Sequence, residues 1–182
     1  MSIWDLTEED RANMRRAGWS DQAIELFEAK ESVGELEDAS VCHMARTEAG
    51  EAARFCIRVE EGRIAAARHS YQGCPALAAT CAAITRLSQG KTIDEAGSLT
   101  VADVWGALGG LPGGHDREVS FPLGAFIETL NIFREQKRLI KAQHDSYTHI
   151  CGLTGRQLEE SKADPCDECP WLQNCENDHT II

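Results

Sequence analysis

Apolar residues recur along this chain with two different periods. Over Val41 to Thr47, and again over Ala53, Phe55, Ile57 and Val59 with Arg54, Cys56 and Arg58 between them, the alternation is two-residue, which predicts half-buried strands. Glu61-Gly62 supplies a tight turn, and Arg63 to Tyr71 returns as a third strand, giving an antiparallel meander. Three strands cannot stand alone, so helices must cover them. Pro75 to Gln89 is predicted helical, with proline at its first position and Gly90 as its stop. A short helix follows from Thr100 and a long one runs from Leu123 to about Gln143. Ahead of the strands, Thr7 and Asp10 form a capping box for a helix that stops near Gly18. Ser20 caps a second helix carrying Ile24, Leu26 and Phe27. The expected architecture is an α+β sandwich, a three-stranded meander covered by helices. Its parts are an amino-terminal helical segment over 1–39, a main domain over 40–143 and a cysteine-rich tail over 144–182.

Composition narrows the function. With 30 acidic and 18 basic residues among 182, the formal charge is −12, which excludes electrostatic binding of nucleic acid or an anionic membrane as a whole-surface property. No apolar run reaches the ~18 residues that span a bilayer; the best stretch is Ala76 to Ile84. The acidic start, MSIWDLTEED, lacks the features of a secretory signal, so a cytoplasmic location is expected. In a reducing compartment disulfides do not persist, and the eight cysteines then read as metal ligands, cluster ligands or reactive thiols. No nucleophile–base constellation, phosphate-binding glycine loop or HExxH zinc site stands out, so an independent enzyme is not expected.

The cysteines fall into two sets. Cys166, Cys169 and Cys175 form a C-x2-C-x5-C array in DPCDECPWLQNC, a spacing that lets three sulfurs close on one metal or cluster without a hydrophobic core. Cys151 is the candidate fourth ligand, with His149 and His179 in reserve. Trp171 and Leu172 would give the site apolar cover. The array resembles the iron–sulfur loop of the endonuclease III glycosylases, except that 14 residues separate Cys151 from Cys166. That resemblance implies a [4Fe-4S] cluster; the spacing alone does not separate it from a zinc staple.

Cys42 and Cys74 form the second set. VGELEDAS (Val33 to Ser40), ARHSYQGCPALAATCAAITRLSQGKTIDEA (Ala67 to Ala96) and Leu111-Pro112 resemble the U-type iron–sulfur cluster assembly scaffolds, the family of IscU and the NifU amino-terminal domain. The resemblance covers about Trp4 to Leu139 and implies a SufE/NifU-like fold. It also implies an iron-binding scaffold on which a transient [2Fe-2S] or [4Fe-4S] cluster is built, with a cysteine desulfurase and apo iron–sulfur proteins as partners. In that family three cysteines converge at one end of the sheet, in the contexts A-C-G-D, G-C-G-S and H-C. Here Val41-Cys42-His43-Met44 is placed at the first and Gly73-Cys74-Pro75-Ala76 at the second. The third is gone, Ser120-Phe121-Pro122 standing near its expected place, and Met44 replaces the aspartate. The chaperone-recognition stretch L-P-P-V-K has become Leu111-Pro112-Gly113-Gly114-His115.

From its own chemistry Cys74 is the strongest ligand candidate, because the amino-terminal end of the helix opened by Pro75 would stabilise a thiolate. Cys81 lies two turns along the same helix, and reads either as a third ligand or as a small core residue among alanines. His43 points to the other side of an ideal strand from Cys42. His69 and His115 are weaker candidates, and Cys56 receives no role. Three functional readings remain open. In the first, Cys42 and Cys74, completed by Cys81, a histidine or the second protomer of a homodimer, hold a transient cluster while the tail carries a permanent one. In the second, a degenerate scaffold serves as a redox or regulatory iron–sulfur module. In the third, the chain is a zinc-stabilised sulfur acceptor.

Overall fold

The computed structural model describes residues 6–30, 32–113 and 115–151, with the side chains of 116 and 143–151 excepted. Two helices, α1 (Glu8–Arg16) and α2 (Asp21–Glu28), precede three strands, β1 (Val41–Arg46), β2 (Ala52–Glu60) and β3 (Arg63–Gln72). Four helices follow: α3 (Pro75–Ser88), α4 (Ile93–Gly97), α5 (Val101–Leu108) and α6 (Asp116–Cys151). The chain divides into two compact units, Met1–Phe133 and Arg134–Ile182. The sheet, α1 to α5 and the first half of α6 belong to the first.

The strands form an antiparallel meander in the order β1-β2-β3, so the α+β expectation holds. Glu60 pairs with Arg63 around the two-residue turn Glu61-Gly62, whose φ values of 49° and 71° are the pair that a right-twisted hairpin requires. Two-residue alternation sorts the faces. Ala53, Phe55 and Ile57 of β2 point inward and are buried, while Arg54 and Arg58 emerge on the outer face. A bulge between Arg58 and Val59 resets the register before the turn.

The inner face is closed chiefly by α3, whose residues from Ala76 to Thr85 are all buried. A helix buried all round must be apolar all round, and here alanines let it lie close against β3, α2 and α5. Its polar residues cost little because each is satisfied locally. Thr80 donates to the Ala76 carbonyl, Thr85 to that of Cys81 and Ser88 to that of Thr85, all at 2.9 Å. From α6, Phe126 meets Phe55 edge to face at a centroid distance of 5.4 Å.

Two elements depart from the sequence expectation. The five-residue α4 was not anticipated, although Thr92 and Glu95 cap it reciprocally. The long helix begins at Asp116 rather than Leu123, with Pro122 inside it. Reading proline as the first helical position is the common case, but the first turns of α6 tolerate it because Val119, Leu123 and Phe126 on the same helix are anchored in the core. The exception is felt at one carbonyl: Pro122 has no N–H to donate to Glu118, four residues back.

Among the described residues no helix is long and apolar enough to cross a membrane. Tail residues Cys166, Cys169 and Cys175, with His179, Trp171 and Leu172, lie outside the described residues. Cys151 is described only as the last residue of α6, and the side chain of His149 is not described.

Among the described residues, His69 is the histidine sealed in the core, 1% exposed. Thr85 already spends its hydroxyl proton on Cys81, so it accepts from the His69 Nδ1–H at 3.1 Å, leaving Nε2 without a partner. Burial pushes this imidazole down from 6.5 to about 4. The unfolded chain therefore binds the proton first as pH falls, and stability present above pH 6.5 is lost progressively toward pH 4. The loss amounts to roughly 3 kcal/mol. His69→Asn keeps a donor for Thr85 but cannot titrate, so its unfolding free energy, measured by denaturant melts across this range, should fall less steeply than that of the native chain.

Candidate functional site

Strand register determines which residues meet. Arg46 pairs with Ala52 and Ala52 with Gln72, so the β1–β2 turn (47–51) and the β3–α3 junction (73–74) share one corner of the sheet. Glu51 closes that turn: its N–H bonds the Thr47 hydroxyl at 3.2 Å, and its carbonyl accepts from the Thr47 N–H at 2.9 Å. The Glu51 Cγ lies 3.7 Å from where a side chain on Gly73 would begin.

Cys74 is the N-cap of α3, half-buried and free, and its side chain makes no capping hydrogen bond. The sulfur is therefore available. His115 and Glu118, one turn apart at the start of α6, meet it. The ligand atoms of Cys74, His115 and Glu118 all lie within 4.8 Å of one another. His115 Nδ1 and Glu118 Oε2 approach to 3.6 Å, and neither buried atom has a hydrogen-bond partner. These two buried polar atoms, facing each other beside a free thiol, form a donor set of the kind that binds a cation. Arg117 faces Glu51 at 3.8 Å and limits the negative charge of the corner.

Several sequence candidates are not part of it. Cys42 does not approach Cys74: it pairs with Cys56 across β1 and β2 as a disulfide with a Cα–Cα distance of 4.1 Å. Cys56 lies four residues from Ala52 on the outer face, about 13 Å along the strand from the corner. The resemblance places Cys42 at the first motif position, but the turn beside Gly73 is 47–51, which carries no cysteine. Cys42 as a cluster ligand and Cys56 as a cysteine without a role are both corrected by the disulfide. Cys81 is fully buried, and desolvation drives its thiol far above the ordinary range, so it is a core residue and not a ligand. His43 lies on the inner side of β1 and bonds Glu128 of α6 at 3.1 Å. Glu118 was missed entirely. Its signal was the i, i+3 spacing from His115, masked by placing the helix start at Leu123.

Residues 18–138 match the NifU-like N-terminal domain family. The chain belongs to that family. Among curated relatives, the iron-sulfur cluster assembly scaffold protein IscU 1 of Archaeoglobus fulgidus is 36% identical over 95 residues, which span 52% of this chain and 62% of the relative. This chain thus spans less than two thirds of the length of that relative. Two solved structures share the fold. A NifU-like protein (N-terminal) from Brucella abortus superposes with a TM-score of 0.53 at 12% identity, over 64% of this chain and 94% of that one. A scaffold protein described for the SUF system of Fervidobacterium islandicum does so with 0.52 at 13%, over 62% and 96%.

At the corner, Gly73-Cys74 joins β3 to α3, and Glu118 reaches the same point from α6.

Gly73 is fixed by this packing. Its φ is +157°, and a Cβ there would sit 2.6 Å from Cδ2 of Leu77, itself fully buried. Gly73→Ala should therefore cost about 1–3 kcal/mol. Gly106→Ala, in α5 with nothing within 4 Å, should be neutral or stabilise by up to ~1 kcal/mol. Thermal melts of the two variants check the contrast.

Proposed function

We propose that this chain acts in iron–sulfur cluster assembly as a scaffold or carrier, with Cys74 as its thiolate and His115 and Glu118 as flanking donors. The observation that carries this reading is the convergence of these three side chains at the corner of a NifU-like fold. Iron is the cargo. One sulfur, one imidazole and one carboxylate suit a single divalent ion with a position left open. They do not provide the several thiolates that hold a finished cluster. The chemistry supports loading of iron(II) first, with the open position left for sulfur delivered by a cysteine desulfurase and release to an apo iron–sulfur protein, the partners that the resemblance implies. Cys42 is not needed in this reading, and Cys151, Cys166, Cys169 and Cys175 would form a second, more retentive [4Fe-4S] or zinc site.

The same donor set favours a second reading, in which zinc occupies the corner and Cys74 accepts sulfur. Elemental analysis separates the two. Anaerobic titration with iron(II), followed by sulfide and a chelator chase, should show one iron population lost quickly and one retained. Cys74→Ser should abolish the fast population, and Glu118→Gln should weaken it about tenfold or more. A Cys166→Ser/Cys169→Ser double variant should abolish only the retained one. Unchanged iron content and unchanged transfer to an apo-ferredoxin in Cys74→Ser would overturn the assignment, and zinc without labile sulfide would favour the second reading.

A further inference from the structure

The outer face of the sheet carries a feature that the corner does not use. Cys56 is 2% exposed, whereas its disulfide partner Cys42 is exposed. Arg54 and Arg58 flank Cys56 two residues away on the same face of β2, and Arg68 stands directly across from it on β3. Three arginines thus occupy neighbouring positions around Cys56 on this face, in a chain of net charge −12. Glu35 holds Arg54 at 2.8 Å, and Asp38 and Glu60 hold Arg58, showing that these arginines accept anionic partners.

We propose that Cys42–Cys56 is a thiol–disulfide exchange site whose substrate is a dithiol. A thiolate of the dithiol attacks the exposed Cys42 Sγ; the new S–S bond forms there as the Cys42–Cys56 bond breaks. Cys56 Sγ leaves with the electron pair, and the arginines stabilise it as a thiolate. The second thiolate of the dithiol then attacks its own mixed disulfide, closing a cyclic disulfide and releasing Cys42 as a thiolate. Two electrons pass to the protein, the dithiol gives up its two protons, and the two cysteines can take them up. The polarity is built in: the accessible sulfur is the one attacked, and the buried, cation-bordered one departs. Cys74 stands at the far end of the strand and Cys81 is sealed in the core, so among the described residues no cysteine supplies the reductant, and the proposal is independent of the metal reading.

The test uses the full chain in non-denaturing buffer at graded ratios of reduced to oxidised dithiothreitol. Alkylation and peptide mass spectrometry then report each cysteine separately. Cys42 and Cys56 should become alkylated together, reversibly, with the fold intact by circular dichroism. Arg58→Ala should require about a tenfold higher reduced-to-oxidised ratio, equivalent to ~30 mV. Oxidised glutathione should form a mixed disulfide at Cys42 in Cys56→Ser but leave Cys56 unmodified in Cys42→Ser. A bond that resists reduction until denaturant is added, equal reactivity of the two single variants, or an unchanged ratio in Arg58→Ala would each overturn the proposal.

Discussion

Everything at the corner depends on how closely α3 lies against the sheet. The alanines from Ala76 to Ala83 have no bulk to hold the helix off β3, and the large core residues Phe55, Ile57 and Ile64 fill the space that remains. Because only two residues separate the end of β3 from the start of α3, that close approach also fixes Gly73 and Cys74 in space. The contact between Gly73 and Leu77 is the tightest expression of it. The site is thus held by core packing and not by a flexible loop, which suits a sulfur that must present one geometry to an ion.

Much of this frame was legible in the sequence. Alternation over Ala53 to Val59, the Glu61-Gly62 turn and the proline-opened, glycine-stopped helix named the elements and their faces correctly, because period and capping chemistry are local properties. Which end of a strand meets which loop is not local. Period-two reasoning places Cys42 on the outer face but says nothing of how far along β1 it stands from Cys74; that follows from the Arg46–Ala52–Gln72 register. The error over Cys42 and the oversight of Glu118 have the same origin. Both concern position in space: Cys42 stands along β1 away from the corner, and α6 begins at Asp116, ahead of Pro122, which brings Glu118 to Cys74.

The donor set of the corner changes the chemistry expected of the fold. A thiolate is soft and an imidazole borderline, while a carboxylate is hard and favours iron(II) or zinc over an assembled cluster. On the proposed reading, a corner with one thiolate beside an imidazole and a carboxylate would retain an assembled cluster less firmly than three thiolates would, while keeping affinity for a divalent ion.

The sheet separates two environments of opposite electrostatic character. At the corner, Glu51, Glu118 and Cys74 present anionic or electron-donating atoms, tempered by Arg117, and such a pocket concentrates cations. On the outer face, Arg54, Arg58 and Arg68 occupy the positions around Cys56, and Glu35 and Asp38 from the preceding acidic segment pair with Arg54 and Arg58. The proposed exchange on one face and the proposed ion site at the end are thus spatially separate, since Cys42 and Cys56 stand away from the corner that holds Cys74. The hydrogen-bonded backbone of β2 is the insulator, and its two-residue period assigns Phe55 to the core and Cys56 to the arginines within a single peptide unit.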